Sequence, residues 1–384
     1  MRHQNSVFHE ITKHIPWAKF ERLVDQHGSD FRVRRLTSKS QFLALLFGQL
    51  SGAASLREIE AGLASHASQL YHLGATQAPR STLSDANAKR PWGLFADLFA
   101  EMAASASRRT RRQLADVTHI LDATQLKLSS LHQDWAVLRN RTWAAKLHVV
   151  YDPDADTPLK LQVTPQNVND ITPAKAFTPE PGVTYVFDLA YYDYRWWADL
   201  DALGCRIVTR LKCNTRLTVS AELPVPEGTN VLADRIGHLP QRQASSRRNP
   251  FSDPVREIVV RLTTGKQIRV LTNDLDAPAE HIAELYKQRW QIELFFKWIK
   301  QNLKIRHVLA TSENGVRAQL FVALISYILL RMAQATQKNV KQPLAFARLV
   351  RLNIMHKRPI NTLSKPLEPP QNDPRQICMK LNPA

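Results

Sequence analysis

The chain has 384 residues, too many for a typical single core, and its 44% hydrophobic and 22% charged content excludes disorder over the whole length. Lys and Arg outnumber Asp and Glu by 52 to 34, a net charge of +18, which points to a polyanionic partner, nucleic acid or an anionic membrane. A membrane is disfavoured: the longest apolar stretch, LFVALISYILL (320–330), is shorter than the ~20 residues a bilayer requires, and the N-terminus has no apolar signal core.

Residues 1–100 predict helices. Segment 38–50 (SKSQFLALLFGQL) is apolar and opens at Thr37 or Ser38. Ser55 and Glu58 form a capping box, so a helix follows to about Ala64. A third helix, STLSDANAKR, runs from Ser81 to Arg90 and stops at Pro91. Being polar and basic, it suits a DNA groove, or equally the solvated face of a small bundle. The run SRRTRR (107–112) reads as a linker or a phosphate contact. His3, His9 and His14 lack zinc spacing, and neither a P-loop nor GxGxxG occurs.

From residue 116 the period changes. VTHILDATQLKLSS, AAKLHVVYD, LKLQVT and TYVFDLA are rich in β-branched residues and predict four strands. Asp152, Asp154 and Asp156 lack the Gly and Glu of a calcium loop and predict a hairpin turn with Pro153 and Pro158. Segment 191–204 predicts a helix ended by Gly204, and 205–211 (CRIVTRL) another strand. Trp196 and Trp197 are core residues or a platform for a displaced base. The cysteines Cys205, Cys213 and Cys378 form no CxxC pair; the first two read as strand residues, and a reducing cytoplasm fits. Strands followed by strand–helix alternation make the fold α/β with a mixed sheet. Residues 214–268 predict a β-rich insertion with a basic face, since 235–269 holds eight Lys/Arg against two acids.

A long helix is predicted over 278–302 and an apolar one near 316–335, followed by a Pro-rich tail from His356. In the first of these, Tyr286, Arg289, Glu293 and Lys300 stand at offsets 0, 3, 7 and 14. At about 100° per residue they share an arc of about 60°. Ile282 joins the stripe, and Trp290, Leu294 and Phe296 flank it. Two readings fit: a core helix whose Glu293 pairs with Arg289 one turn back, or a helix facing a cleft in which Glu293 takes a metal and the other three hold phosphate oxygens.

The unbroken spacing Y-(2)-R-(3)-E-(6)-K, within LYKQRWQIELFFKWIKQNL, resembles the signature of the insertion-sequence family four transposases, a branch of the DDE transposases. The resemblance covers roughly residues 1–330. It implies an RNase H-like catalytic core, with Asp122 in HILDATQ as the first acid, Asp188 in TYVFDLAYYDY as the second and Glu293 as the third. It also implies a β-rich insertion between Asp188 and Glu293, which stand 105 residues apart, and a helical N-terminal domain. Many relatives carry Gly soon after the second Asp. Here Leu189, Ala190 and Tyr191 follow, leaving Asp193 as a fallback that would start a helix.

The domains expected are a helical DNA-binding unit (1–105), a catalytic unit (116–335, with the insertion at 213–270) and a C-terminal helix with its tail (336–384). The resemblance implies two divalent ions, Mg²⁺ or Mn²⁺, with Asp122 bridging both and Asp188 and Glu293 each completing one side. Carboxylate oxygens are the donors such hard ions take, and two ions can activate an attacking oxygen and stabilise the leaving one. Water attack would free a 3′-hydroxyl for joining, and a hairpin intermediate is implied. Tyr286, Arg289 and Lys300 would contact DNA. The partners expected are double-stranded DNA, as terminal inverted repeats and target, and a second copy of the chain in the DNA complex. The protein would act in the cytoplasm at the nucleoid. A non-transposing RNase H-like nuclease and a DNA-binding repressor derived from a transposase are the alternatives.

Overall fold

The computed structural model describes residues 5–111, 116–129, 132, 136–139, 142–225, 227–244, 246–303, 305 and 308–366. Cys378, His3 and the tail beyond 366 lie outside the described residues.

Seven helices open the chain: α1 (Val7–Thr12), α2 (Trp17–Gln26), α3 (Ser38–Ser51), α4 (Leu56–Ser65), α5 (Ala67–Leu73), α6 (Arg80–Lys89) and α7 (Gly93–Arg111). The starts of α3 and α4 follow from the sequence. Thr37 caps α3 by accepting from the Ser40 N–H at 3.2 Å. Ser55 caps α4 through the Glu58 N–H at 3.2 Å, while the Glu58 carboxylate accepts from the Ala54 N–H rather than from that of Ser55. The basic run begins inside α7, where the Ser107 hydroxyl donates to Asp152 at 2.6 Å. Its Arg112 lies outside the described residues.

The strands follow: β1 (Thr118–Leu128), β2 (Val137–Arg139), β3 (Thr142–Asp152) and β4 (Thr157–Pro165), then α8 (Ile171–Ala176), β5 (Thr184–Val186), α9 (Tyr194–Ala202) and β6 (Arg206–Arg210). The aspartate string is the β3–β4 turn: Asp156 takes φ 47° and accepts from Tyr327 at 2.5 Å. The insertion supplies β7 (Thr218–Glu222), β8 (Val231–His238), β9 (Arg242–Ala244), β10 (Arg247–Arg248), β11 (Val255–Arg261) and β12 (Gln267–Thr272). It is β-rich as expected, and β12 returns antiparallel to β6. The inserted strands therefore extend one ten-stranded mixed sheet, ordered β2-β3-β1-β5-β6-β12-β11-β8-β7 with β4 beside β3, while β9 and β10 pair separately. The α/β reading with a mixed sheet holds.

Two further differences from expectation have local causes. Cys205 is buried just before β6, and Cys213 is exposed beyond its end. Arg269 donates to the carbonyls of Lys212 (2.9 Å), Cys213 (3.3 Å) and Thr215 (2.8 Å), curling that segment out of the strand. The helix expected over 278–302 is two, α10 (Ala279–Gln288) and α11 (Trp290–Asn302), broken at Arg289.

α12 (Glu313–Ala335) and α13 (Pro343–Asn353) complete the fold. α12 is long and apolar enough to cross a membrane by composition, but 83% of its apolar window is buried inside the protein. It packs against α3, α6 and α7, with Trp92 stacked on Phe321 at 5.5 Å. The sheet is apolar on both faces. One face sends Ile120, Val149, Val186 and Val208 into a core shared with α10, α11 and α12; the other sends Leu121, Tyr185, Phe187 and Ile207 against α9.

Candidate active site

Sheet register sets the level of the first two acids. β1 and β5 run parallel with Ile120 opposite Val186. Two residues further on stand Asp122 and Asp188, and Asp188 keeps an extended backbone (φ −96°, ψ −171°). Residues two apart on a strand share a face. Ile120 and Val186 belong to the core beneath α10 and α11, so both acids face those helices. Asp188 then caps a short 3₁₀ turn, Leu189–Tyr191, accepting from the Ala190 N–H at 2.8 Å.

Glu293 comes from the first turn of α11, above β1. Arg289, at the helix break, joins two acids: one terminal nitrogen lies 2.6 Å from Glu293 and the other 3.4 Å from Asp122. The expected Arg289–Glu293 pair is thus present, and it extends across to the sheet. Lys300 reaches the same strand, donating to the Thr124 hydroxyl at 2.5 Å, two residues beyond Asp122. Tyr286 is buried beneath Arg289, whose guanidinium carbon lies 6.0 Å from the ring centre. The four residues of the stripe gather around Asp122 and Asp188. Of its flanks, Phe296 is buried, whereas Trp290 (57%) and Leu294 (51%) are exposed.

The electrostatics centre on Asp122. Burial pushes its pKa from the usual 3.8 to about 7, and the neighbouring Asp188 and Glu293 push the same way, against the Ala123 N–H and Arg289. The Tyr286 hydroxyl is also raised, chiefly by burial, with Arg289, Arg210 and Asp188 as its charged neighbours.

Asp193, the fallback acid, is occupied elsewhere. It caps α9 through the Trp196 N–H at 2.9 Å and pairs with Lys175 at 2.8 Å. Burial would raise its pKa, but these two partners hold it below the usual range. Trp196 and Trp197 are buried, with 5% and 0% exposure, against Phe187 and the tyrosines of the 191–194 segment. The base-platform reading is overturned, because a ring must be reachable to stack on a base.

Sequence reasoning missed Arg256. Its guanidinium pairs with buried Asp234 at 2.6 Å and donates to the carbonyls of Leu275 (3.0 Å) and Ala277 (2.5 Å). It thereby fixes the segment that launches α10. The only sequence signal was a charge inside an apolar strand, REIVVRL.

Residues 115–329 match the family described as Transposase DDE domain, and residues 3–76 a family described only as a domain of unknown function. The chain belongs to the DDE transposases. A protein described as a transposase, y4zB of Sinorhizobium fredii, is 40% identical over 292 residues, 76% of this chain and 81% of that one. A protein described as a transposase for insertion sequence element IS5377, from Geobacillus stearothermophilus, is 31% identical over 276 residues, 71% of this chain and 72% of the other. A solved piggyBac transposase synaptic complex with hairpin DNA aligns over 95% of this chain and 80% of its own, at 12% identity and a TM-score of 0.42.

This protein is therefore a DNA transposase, and dependence on a divalent metal goes with its DDE domain. Three carboxylates suit a hard divalent ion. Placement tests the fit further. Among the described residues no group of three or more His, Cys, Asp or Glu stands close enough to hold one ion. Arg289 lies between Asp122 and Glu293. The acids fit a divalent ion by chemistry, and Asp122 and Asp188 also by their shared sheet face, with the Arg289 guanidinium interposed between Asp122 and Glu293.

Proposed function

We propose that this transposase cuts the ends of its element and joins the freed 3′ ends to target DNA in an RNase H-like core, with Asp122, Asp188 and Glu293 holding two Mg²⁺ or Mn²⁺ ions. The observation that carries this reading is a largely buried Asp122 with two further acids, Asp188 and Glu293, as its charged neighbours, both disfavouring its ionisation. The order β4-β3-β1-β5-β6, with β3 antiparallel to β1 and β5 parallel to both β1 and β6, supports the RNase H-like core. Divalent ions bound there supply Lewis acidity to the reacting phosphodiester. Arg289 and Lys300 offer positive charge to DNA phosphates, and Tyr286 supports Arg289 from below. Residues 1–105 bind the terminal inverted repeats, with the exposed face of α6 toward the DNA. Residues 116–335 form the catalytic unit, 213–270 its basic insertion, and 336–384 the C-terminal helix and tail. Cutting two ends together calls for a homodimer in the DNA complex, acting at the nucleoid.

The test incubates the purified chain with end DNA, with and without Mg²⁺, beside Glu293→Ala. Cleavage at the element boundary that needs both the metal and Glu293 is expected. Tight end binding without cleavage by the unmodified protein would favour the repressor alternative.

A further inference from the structure

We propose that Arg210 is a further DNA contact of this active site, taking a backbone phosphate next to the one being cut. The inference rests on the reading of the site as DNA-cutting. It starts from the same register that aligns the acids. β5 and β6 run parallel with Val186 opposite Val208, and β1 and β5 with Ile120 opposite Val186. Two residues beyond that row stand Asp122, Asp188 and Arg210. Ile120, Val186 and Val208 all enter the core under α10 and α11, so Arg210 shares the face of both acids. Its antiparallel neighbour on β12, Val270, belongs to the same core. The row thus reads acid, acid, arginine, beneath one pair of helices.

The side chain is placed to receive a ligand. Arg210 is half-buried, and among the described residues its buried Nε has no hydrogen-bond partner. Tyr286, overhead, has Arg210, Arg289 and Asp188 as its charged neighbours. The terminal nitrogens of Arg289 are engaged with Asp122 and Glu293. A phosphate oxygen is an anionic acceptor that matches the planar fork of a guanidinium. Strands lie about 4.8 Å apart, so β6 is about 10 Å from β1, and Arg210 reaches a neighbouring phosphate rather than the one over Asp122. A strand of DNA crossing the row would meet Lys300 above β1 and Arg210 at the end of β6.

The experiment measures binding of the full chain to a duplex with a pre-cut end, without divalent metal, across a salt series. It compares the unmodified protein with Arg210→Gln and Arg210→Lys. Arg210→Gln is expected to bind roughly tenfold more weakly, with the log K against log[salt] slope reduced by about 1, while Arg210→Lys keeps the slope. Neutral methylphosphonates are then placed singly within three nucleotides of the cut. One position beside the cut should weaken the unmodified protein and leave Arg210→Gln unchanged. An unchanged slope in a folded Arg210→Gln, or equal losses for both proteins at every methylphosphonate, would overturn the assignment. If Arg210→Gln fails to fold, an unmodified protein indifferent to every neutral phosphate overturns it as well. An unmodified chain that neither prefers the end DNA nor cuts it overturns instead the underlying reading of the site.

Discussion

Asp122→Asn separates the site's chemistry from the stability of the fold. With its pKa raised from 3.8 to about 7, Asp122 is harder to ionise in the folded protein than in the unfolded chain. Its contribution to stability is complete below pH 3.8 and is lost progressively as the pH rises through about 7. At about 1.4 kcal/mol per pH unit the whole loss has a ceiling of about 4 kcal/mol, of which about 3 kcal/mol falls between pH 5 and pH 8. The side chain is only 17% exposed, so solvent screening does not erase the effect. Asp122→Asn removes the titration. The variant should therefore be more stable than the parent at pH 8 by roughly 1–3 kcal/mol, with a smaller gain at pH 5, and should be inactive. Urea unfolding in EDTA at the two pH values measures the difference, and other titrating groups cancel between the proteins. Millimolar Mg²⁺ should shrink the gap at pH 8, because a bound cation offsets the burial cost of the charge and the repulsion from Asp188 and Glu293 that the substitution removes. Equal pH dependence in the two proteins would refute the claim that ionised Asp122 strains the fold.

Two further predictions concern the scaffold. Trp197→Ala should destabilise the protein by about 3–5 kcal/mol in thermal or urea unfolding, since a fully buried ring leaves a cavity; a loss of DNA affinity at unchanged stability would restore the base-platform reading. Arg256→Met should destabilise by about 3 kcal/mol by leaving Asp234 buried and unpaired, and Arg256→Met with Asp234→Leu should recover much of that; a double variant no better than the single one would show that the carbonyl contacts to Leu275 and Ala277, not the ion pair, do the anchoring.

Several features were legible in the residues alone. Strand periods switched on at residue 116, the Thr37 and Ser55 caps announced their helices, and the aspartate string read as a turn because it lacked a calcium loop's Gly and Glu. The Tyr286–Lys300 spacing singled out the two helices that face Asp122 and pointed to the DDE transposases. These signals survive because helix caps, turns and fixed spacings are local properties of a few neighbouring residues.

What the tertiary structure decided is non-local. No sequence pattern shows that β12 pairs with β6, so the insertion's place in the main sheet had to be seen. The reach of Arg289, at the helix break, to Asp122 joins residues 167 apart in the sequence. The burial of Trp197 and the row of Asp122, Asp188 and Arg210 have the same origin. Strand register is set by long-range pairing between separate segments, and burial by what finally packs on top. A sequence read along one dimension carries the chemistry of each side chain, but not which distant strand will lie beside it.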